Sequence, residues 1–449
     1  MKIGDTGVVT IAGGGLAGAL LAAMLAAQGL RVEVFERHAD PRLGDPPDGR
    51  SINLALAERG CHALRLAGLD DAVDEFVLPM TGRMMHDREG RLTPQPYGAA
   101  GERIWSSNRA QLNCVLLNGA EATGRVDLHF GRRIETVDWD ARQLHFSDGE
   151  SRSFEVLIGA DGGGSVVRRA MASHTDIGAR EELLEHGYRE LSIPPAADGG
   201  FAMDARSLHI WPRGGFMLIA LPNLDGSFTA TLFLPKDGDP GFSALGDWPA
   251  QQAFMQREFP DAVPLMTDMQ AEFRDNPVGL LGTIRCRQWH LGGTAALLGD
   301  AAHAIVPFHG QGMNAAFEDC EVMGRLVRDR DRDWSEVFAQ YQALRRDNAN
   351  AIADMALENY RVMRESVADP RFLLRKALEH ELERRFGDRF IARYSLVMFH
   401  RLPYAEVFRR GNTQAAILET LLDGADGLDD ISFDQARRLV EAELAPIRS

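Results

Sequence analysis

The pattern of apolar and polar residues near the start of the chain predicts a strand, a helix and a second strand. Val8 to Ala12 is a short apolar run, and Leu16 to Gln28 is rich in Ala and Leu until Gly29 ends it. Arg31 to Phe35 contains β-branched residues typical of a strand. This strand–helix–strand order indicates a parallel sheet. Residues 40–50 hold several Pro, Gly and Asp residues and are predicted to form a loop.

The middle of the chain has a different pattern. Apolar runs of strand length occupy residues 208–212, 215–221 and 227–234. Between the last two runs, Pro222-Asn-Leu-Asp-Gly226 has the composition of a hairpin turn, so we predict an antiparallel sheet here. Residues 295–298 return to strand character and are predicted to rejoin the parallel sheet.

The predicted fold class is α/β. A Rossmann-like parallel sheet is interrupted by an inserted antiparallel β-sheet domain, and Ala, Leu, Glu and Arg at helical spacing beyond Trp334 predict a C-terminal helical region. The parallel-sheet domain is expected in three parts, the inserted domain in two, and the helical region in one. In chain order the predicted boundaries are 1–75 (parallel-sheet domain), 76–105 (inserted domain), 106–175 (parallel-sheet domain), 176–280 (inserted domain), 281–333 (parallel-sheet domain) and 334–449 (helical region).

Composition narrows the classes of function. The 449 residues carry a net charge of −16, which makes the chain a poor candidate for binding nucleic acid or anionic membrane. The cysteines at 61, 114, 286 and 320 lack metal-ligand spacing and are too few for a disulfide scaffold, so we predict no metal site and a cytoplasmic location. No run of about 18 apolar residues occurs, and the N-terminus lacks the pattern of a signal peptide, so no membrane span is predicted.

A glycine turn follows the first strand. Gly13-Gly14-Gly15-Leu16-Ala17-Gly18 fits the dinucleotide-binding pattern G-x-G-x-x-G: Gly13 permits the turn, Gly15 lets a pyrophosphate approach the backbone, and Gly18 lets the helix pack on the strand. Glu36 ends the second strand, where a carboxylate can accept hydrogen bonds from a ribose. Arg37 leaves open a 2′-phosphate, and hence NADP, at this turn.

Two further turns select FAD over NADP. Gly159-Ala160-Asp161-Gly162 follows an apolar strand at 154–158, and Gly299-Asp300 ends another, where the carboxylate can accept from ribityl hydroxyls. A helix predicted to begin near Gly312 points its N-terminus at the expected flavin position, which favours negative charge on a reduced ring. Three such turns in this order describe one extended FAD.

With these three turns, the chain resembles the class A FAD-dependent aromatic hydroxylases, of the p-hydroxybenzoate hydroxylase type. The resemblance covers most of residues 8–330. The resemblance implies non-covalent FAD and NAD(P)H as the electron donor. It implies cofactor contacts by the residues that match the family's motifs. These are Gly13, Gly15, Leu16, Ala17, Gly18, Glu36, Arg37, Ala55, Arg109, Asp161, Asp300, Pro307, Gly310, Gln311, Gly312, Met313 and Asn314.

Longer stretches resemble the branch of that family that hydroxylates L-kynurenine, in its soluble bacterial form. They cover residues 49–56, 79–86, 209–213, 216–223 and 307–314. The resemblance implies conversion of L-kynurenine to 3-hydroxykynurenine with NADPH and O2, through a flavin C4a-hydroperoxide, in tryptophan degradation and NAD biosynthesis. Members of this branch carry a glutamate where Val362 stands here, so the contact to the substrate amine is open.

The substrate has a carboxylate, an amine and an aniline ring. Arg83 is the expected fork-shaped partner of the carboxylate. Tyr97 would add a phenol hydrogen bond, and Asn359 and Tyr394 would reach in from the helical region. A mostly apolar pocket is expected around the ring. Its predicted lining is Ile219, Leu221, Thr231, Phe233 and Phe308.

No catalytic side chain is assigned, because the flavin carries the chemistry and the aniline nitrogen activates its own ring. His309 is a candidate general base, against the alternative of a structural hydrogen-bonding histidine. Three other functions stay open: a hydroxylase of another aromatic acid, a flavin oxidase or dehydrogenase, and a non-catalytic scaffold that keeps the FAD fold. The choice between NADPH and NADH, and between a monomer and a homodimer, also stays open.

Overall fold

The computed structural model describes residues 7–44, 53–97, 101–330, 333–365 and 370–447. Residues 45–50 of the predicted loop and residues 49–52 of one family-like stretch lie outside the described residues. Within these ranges, the three elements predicted at the start of the chain and the strands predicted in its middle are confirmed, with ends shifted by one or two residues.

The described residues form nineteen strands and fourteen α-helices. The strands are β1 (Val8–Ala12), β2 (Arg31–Phe35), β3 (Asn53–Leu56), β4 (Val77–Met80), β5 (Gly82–His86), β6 (Leu92–Pro96), β7 (Ile104–Asn108), β8 (Val126–His129), β9 (Ile134–Asp138), β10 (Gln143–Phe146), β11 (Ser151–Ser153), β12 (Val156–Gly159), β13 (Arg180–Ile193), β14 (Ser207–Pro212), β15 (Met217–Pro222), β16 (Phe228–Pro235), β17 (Gly279–Arg285), β18 (His290–Leu291) and β19 (Ala295–Leu297). The helices are α1 (Leu16–Ala27), α2 (Glu58–Ala67), α3 (Asp70–Asp74), α4 (Arg109–Ala122), α5 (Val166–His174), α6 (Trp248–Glu258), α7 (Met269–Asp275), α8 (Asp300–His303), α9 (Gly312–Asp329), α10 (Trp334–Glu365), α11 (Pro370–Phe386), α12 (Arg393–Phe399), α13 (Tyr404–Leu422) and α14 (Phe433–Glu443).

A six-stranded sheet with the order β18-β19-β12-β1-β2-β8 forms the first layer. β1 pairs in parallel with β2 and with β12, and β12 pairs in parallel with β19, which confirms that the chain returns to this sheet. The strands pack with α1, α4 and α9 in the largest apolar core. Their nearly continuous apolar composition is what a parallel sheet covered on both faces requires.

A seven-stranded sheet has the order β17-β13-β16-β15-β14-β5-β6. The predicted hairpin joins β15 to β16: the Asn223 N–H donates to the Ser227 carbonyl oxygen at 2.8 Å, and Gly226 has a φ of +85°. Antiparallel pairing is confirmed except between β5 and β14, which are parallel. The long segment between these two strands permits parallel pairing, whereas a hairpin imposes the antiparallel arrangement.

The seven-stranded sheet has two covered faces, because side chains alternate along each strand. One face, which includes Trp211, Leu218 and Leu232, packs against α6 and α7. The opposite face includes Leu221 and Phe233 and packs against α9, α10, α12 and α13. We call this second face the pocket face.

The remaining described elements complete the architecture. Two three-stranded sheets, β3-β7-β4 and β11-β10-β9, were not predicted. The predicted helical region is confirmed by α10 to α14, of which α11, α13 and α14 share a separate apolar core. Within the described ranges, none of the helices combines the length and the apolar character needed to cross a bilayer.

Candidate functional site

Three glycine turns follow β1, β12 and β19 and meet at one edge of the six-stranded sheet. Gly13 has a φ of +101°, and a Cβ there would lie 2.5 Å from the carbonyl oxygen of Ala160. A Cβ on Gly18 would lie 2.0 Å from the Gly13 carbonyl oxygen, and one on Gly299 would lie 3.6 Å from the Cβ of Ala17. The close packing therefore requires glycine at positions 13 and 18, and the contacts of Gly13 with Ala160 and of Gly299 with Ala17 show that the three predicted turns come together.

Two helices begin at this edge without side-chain caps. Gly15, which has no capping side chain, precedes α1, and Gln311, whose side chain accepts no hydrogen bond from its helix, precedes α9. By contrast, Asn108 caps α4 by accepting from two N–H groups. A Cβ on Gly15 would meet no described atom within 4 Å, so the space in front of α1 is open. Uncapped N-termini beside open space fit the pyrophosphate and the flavin of FAD.

Two carboxylates stand near the same edge. Glu36 follows β2: its Oε2 accepts from the Gly14 N–H at 2.8 Å and its Oε1 from the His38 N–H at 2.9 Å. These bonds orient the carboxylate and leave lone pairs for ribose hydroxyls. Asp300 is exposed at the start of α8 and makes no side-chain hydrogen bond within the described part of the chain. Arg37 is exposed and donates to His38 Nε2 at 3.1 Å.

Asp161 uses its carboxylate to shape its own turn. It accepts from the Val166 N–H at 2.6 Å and from the Ser165 hydroxyl at 2.5 Å, and so begins α5. Arg168, on the same helix, is buried and donates to the carbonyl oxygen of Ala301 at 3.0 Å. This bond ties the Asp-Gly turn to the Gly-Asp turn, a role that the sequence alone did not assign to Arg168.

Asn314 and Gln311 also have engaged side chains. Asn314 Oδ1 accepts from the Ala57 N–H at 2.9 Å, and its Nδ2 donates to the Ala55 carbonyl oxygen at 2.9 Å. Gln311 Oε1 accepts from the Tyr404 hydroxyl at 2.6 Å. These side chains hold the turn before α9.

The other predicted cofactor residues lie on the same elements. Arg109 is exposed as the first residue of α4. The rest belong to the first turn of α1 or to the segment that leads into α9: Leu16, Ala17, Pro307, Gly310, Gly312 and Met313.

Sequence reasoning missed a buried charged group behind the Gly-Asp turn. Asp319 is fully buried in α9; its Oδ2 accepts from His303 Nε2 at 2.5 Å and from the Gly299 N–H at 3.1 Å, and its Oδ1 accepts from Arg345 Nε at 2.7 Å. Burial opposes its ionisation, but His303 and Arg345 outweigh burial and lower the pKa of Asp319. Its only sequence signal was a charged residue on an otherwise apolar helix face.

Asp319→Asn is expected to destabilise the protein by about 1–3 kcal/mol, because buried Arg345 would keep Glu318, at 2.7 Å, but lose its second carboxylate partner. The lowered pKa means that this contribution is present at neutral pH and is lost as the pH falls through the folded-state value. Thermal unfolding of the wild type and the variant at pH 7 and near pH 3 tests both points. The control is Asp329→Asn at the exposed end of the same helix. Equal unfolding midpoints at pH 7 for the wild type and Asp319→Asn would contradict the assignment.

Five predicted substrate residues share the pocket face. Arg83 on β5 pairs with Leu208, which packs in the same core as Leu221. Ile219 is the register partner of Thr231, and Met217 that of Phe233. The predicted set on this face is Arg83, Ile219, Leu221, Thr231 and Phe233.

The structure places two tyrosines and a histidine beside Arg83. Its Cζ lies 4.1 Å from the centre of the Tyr394 ring and 5.8 Å from that of Tyr97. The two tyrosine rings stack at 6.0 Å, and His309 stacks on Tyr394 at 5.7 Å. Arg83 Nε is buried without a hydrogen-bond partner, and Arg83 has no ion pair among the described residues. A guanidinium whose Nε is buried without a partner, beside two tyrosine hydroxyls that interact with it, can bind an anion.

Burial fixes the protonation of the neighbouring groups. It raises the pKa of Tyr97 well above the ordinary value, so this phenol keeps its proton and can donate it in a hydrogen bond. It lowers the pKa of His309 to about 4, so the imidazole is neutral at pH 7 and a weak base. His309 Nδ1 has no partner among the described residues. A catalytic role for His309 stays a prediction.

Helix α10 covers the pocket face. Asn359 Nδ2 donates to the Phe308 carbonyl oxygen at 2.6 Å, and the Phe308 ring lies 5.2 Å from that of Phe233. Asn359 thus contacts the segment before α9 and keeps its Oδ1 for another partner. Val362, where the family resemblance predicts a glutamate, is 38% exposed.

Comparison with known proteins gives a family match and close relatives. Residues 5–187 and 270–356 match the FAD binding domain family. The kynurenine 3-monooxygenase of Stenotrophomonas maltophilia (strain K279a) is 48% identical over 442 residues, which cover 97% of each chain. That of Xanthomonas campestris pv. campestris (strain 8004) is 47% identical over 445 residues, covering 98% of this chain and 97% of its own.

Solved structures share the fold at low identity. The tetrameric form of 2-methyl-3-hydroxypyridine-5-carboxylic acid oxygenase superposes with a TM-score of 0.67 at 20% identity and covers 83% of this chain and 96% of its own. Pseudomonas aeruginosa PqsL in complex with 2-aminobenzoylacetate gives a TM-score of 0.66 at 22% identity, with 79% and 96% covered. These two likenesses show the fold alone.

The comparisons confirm the α/β fold class and the family resemblance, and the FAD binding match includes all three glycine turns. The cofactor is therefore FAD. With relatives this similar over nearly the whole of both chains, the protein belongs to the kynurenine 3-monooxygenase family of FAD-dependent monooxygenases.

Proposed function

We propose that the protein hydroxylates L-kynurenine to 3-hydroxykynurenine, with NADPH and O2 as co-substrates. The observation that carries the proposal is the guanidinium of Arg83, which has no acidic partner among the described residues and lies at the end of an apolar face. That face leads to the turn before α9, which is one of the FAD-binding elements. An anionic amino acid with an aromatic ring matches this arrangement of charge and apolar surface.

The substrate carboxylate binds Arg83 through two parallel N–H···O bonds, a geometry that the planar guanidinium offers and a lysine does not. The Tyr97 hydroxyl keeps its proton and donates a hydrogen bond to the same carboxylate. Asn359, whose Oδ1 accepts no hydrogen bond from the described residues, would accept from the substrate amine, a role open because Val362 carries no carboxylate. The aniline ring lies on Ile219, Phe233 and Phe308.

FAD, when bound, takes electrons from NADPH and activates dioxygen for transfer to the ring. The open space at Gly15 and the N-terminus of α1 would receive its pyrophosphate. Glu36 would bind the ribose and Asp300 the ribityl chain. The uncapped N-terminus of α9 would face the flavin ring and stabilise negative charge on it.

The protein's own part is to orient the ring and to exclude water. The aniline nitrogen activates the adjacent ring carbon, so no strong base is needed, in keeping with a neutral His309. Phe308, Phe233 and Tyr360 form a tight aromatic wall, with ring centres 5.2 and 4.9 Å apart. A dry pocket matters because water would divert the reaction to peroxide release.

We test the proposal by following aerobic NADPH consumption by the FAD-loaded protein with and without L-kynurenine, with mass detection of the product. We expect kynurenine-stimulated consumption and a product one oxygen atom heavier. Stimulated consumption that yields only peroxide would make kynurenine an effector. No response from protein that carries FAD would contradict the substrate assignment and favour a hydroxylase of another aromatic acid. The same assay with NADH in place of NADPH determines which of the two is the electron donor.

The domain roles are part of the same proposal. Segments 1–75, 106–175 and 281–333 hold the cofactor, 76–105 and 176–280 hold the substrate, and 334–449 covers the pocket. A cytoplasmic location and the choice between monomer and homodimer stay predictions, and sedimentation velocity decides the second.

A further inference from the structure

A chain of hydrogen bonds crosses the face of the seven-stranded sheet opposite the pocket face. His86 Nδ1 lies 2.7 Å from Asp261 Oδ2, and His86 Nε2 lies 2.8 Å from His209 Nδ1. His209 Nε2 lies 2.9 Å from the carbonyl oxygen of Asp204. The two histidines are 4% and 2% exposed. We call Asp261, His86, His209 and the Asp204 carbonyl the histidine relay.

The relay needs three protons. The Asp204 carbonyl can only accept, so His209 Nε2 carries a proton. A second proton lies between His86 Nε2 and His209 Nδ1, and a third lies between His86 Nδ1 and Asp261. Two neutral imidazoles carry two ring protons in total. One extra proton is therefore held within the relay.

The extra positive charge belongs to His86. Burial lowers the pKa of His209 to about 4, so His209 is neutral. Burial raises the pKa of Asp261, but hydrogen bonds from His86 and from Trp211 Nε1, at 2.9 Å, outweigh burial and lower it, so the carboxylate is ionised. The His86 ring also stacks on the Trp211 ring at 3.9 Å, as an imidazolium favours.

Other charged groups face the relay from the turn after β14 and the end of α6. Arg213 is buried and donates to the carbonyl oxygens of His86 at 3.0 Å, Asp87 at 3.2 Å and Glu258 at 2.6 Å. The Glu258 carboxylate pairs with Arg88 at 3.0 Å. Arg213 and Arg88 oppose a charge on His86, while Asp87, Glu258 and Asp261 favour it.

The relay lies behind the strand that bears Arg83. His86 and Arg83 are on β5 and point to opposite faces of the sheet. β5 lies between β14 and the edge strand β6, whose side chains are all exposed. The relay therefore joins β5 to β14 and to the segment after α6, on the buried side of the strand.

We propose that His86, His209 and Asp261 are positioning residues for Arg83, and that the proton they share holds β5 in register for substrate capture. The proposal rests on the proposed function of Arg83. Without the extra proton, Asp261 would face a bare imidazole lone pair. The KM for kynurenine should then rise while kcat and FAD binding stay constant.

The pH dependence of kynurenine KM in the wild type and in Asp261→Asn tests this coupling. His86 Nδ1 and Trp211 Nε1 both contact Asp261 Oδ2, so in Asp261→Asn the amide oxygen can still accept from Trp211, but the negative charge that holds the extra proton is lost. We expect the wild-type KM to rise by about fivefold or more on the alkaline side, and the variant KM to have this raised value at every pH. His145→Gln, at a half-buried histidine that lies outside the relay, should keep the wild-type profile.

Nitrogen-15 NMR of the histidine-labelled wild type measures the protonation of the relay in the absence of substrate. The signals of His86 are assigned by their loss in His86→Gln. We expect both ring nitrogens of His86 protonated at pH 7, and only one in Asp261→Asn. A singly protonated His86 in the wild type would overturn the relay. A doubly protonated His86 with a flat KM would overturn the positioning role. Absence of any kynurenine turnover would reject the proposed function, and with it the role toward Arg83, while the NMR result still decides the protonation.

Discussion

Replacing Arg83 with alanine is expected to raise the KM for L-kynurenine by roughly 30-fold or more while FAD stays bound. The guanidinium has no acidic partner among the described residues, so the substrate carboxylate would be its charge partner. Losing one partner of a buried, hydrogen-bonded charge pair costs about 2–5 kcal/mol, at about 1.4 kcal/mol for each factor of ten. The KM of Arg83→Lys should lie between those of the wild type and Arg83→Ala, because lysine keeps the positive charge but cannot make two parallel N–H···O bonds.

Steady-state kinetics with two compounds separates the carboxylate contact from general damage to the pocket. The amine that lacks the kynurenine carboxylate should be a poor substrate for the wild type and should lose little more on Arg83→Ala. As a control, Arg91→Ala removes an arginine that is 77% exposed in the turn of the same hairpin. It should leave the KM of both compounds unchanged. A wild-type KM in Arg83→Ala would remove Arg83 from the site.

The elements that sequence predicted best are those whose signals are local. The first strand, helix and strand are defined by a glycine turn that tolerates no Cβ at Gly13 or Gly18. The hairpin at 222–226 is defined by Asn-Leu-Asp-Gly, with Gly226 at a positive φ. In both cases the chemistry that decides the conformation lies within a few residues.

The substrate cluster is not local, and only the family resemblance suggested it. Arg83, Tyr97, Tyr394 and His309 come from β5, from the residue after β6, from α12 and from the segment before α9. No spacing along the chain implies that these side chains share one site. Their protonation could not be predicted either, because the lowered pKa of His309 comes from burial under elements distant in sequence.

The buried charged groups were missed for a related reason. His86 and His209 look like ordinary strand residues until β5 and β14 pair in parallel, and that pairing has no local signature. Asp319 is a charged residue on an otherwise apolar helix face, and its partner Arg345 lies on α10, which the sequence does not place beside it. Charge pairing between distant elements follows from packing, which hydrophobic periodicity does not encode.

Gly15→Ala and Gly13→Ala are both expected to weaken FAD binding, for different physical reasons. Gly15 has a φ of −70°, and its Cβ would meet no described atom within 4 Å, so the apoprotein should accept alanine. The added methyl group would instead fill the space where the backbone must approach the pyrophosphate. Gly13 has a φ of +101°, and its Cβ would collide with Ala160, so alanine there should strain the apoprotein as well.

FAD titration of each apoprotein, followed by flavin fluorescence, together with thermal unfolding without cofactor, distinguishes the two cases. Gly15→Ala should lower FAD affinity by about tenfold or more, about 1.4 kcal/mol, with an unchanged apoprotein midpoint. Gly13→Ala should lower both the FAD affinity and the unfolding midpoint of the apoprotein. Gly246→Ala, at an exposed position with open space, should change neither the affinity nor the midpoint. Wild-type FAD affinity in Gly15→Ala would show that the pyrophosphate does not lie in front of α1. A wild-type apoprotein midpoint in Gly13→Ala would show that the first turn can relax away from Ala160, and the requirement for glycine would then come from the cofactor alone.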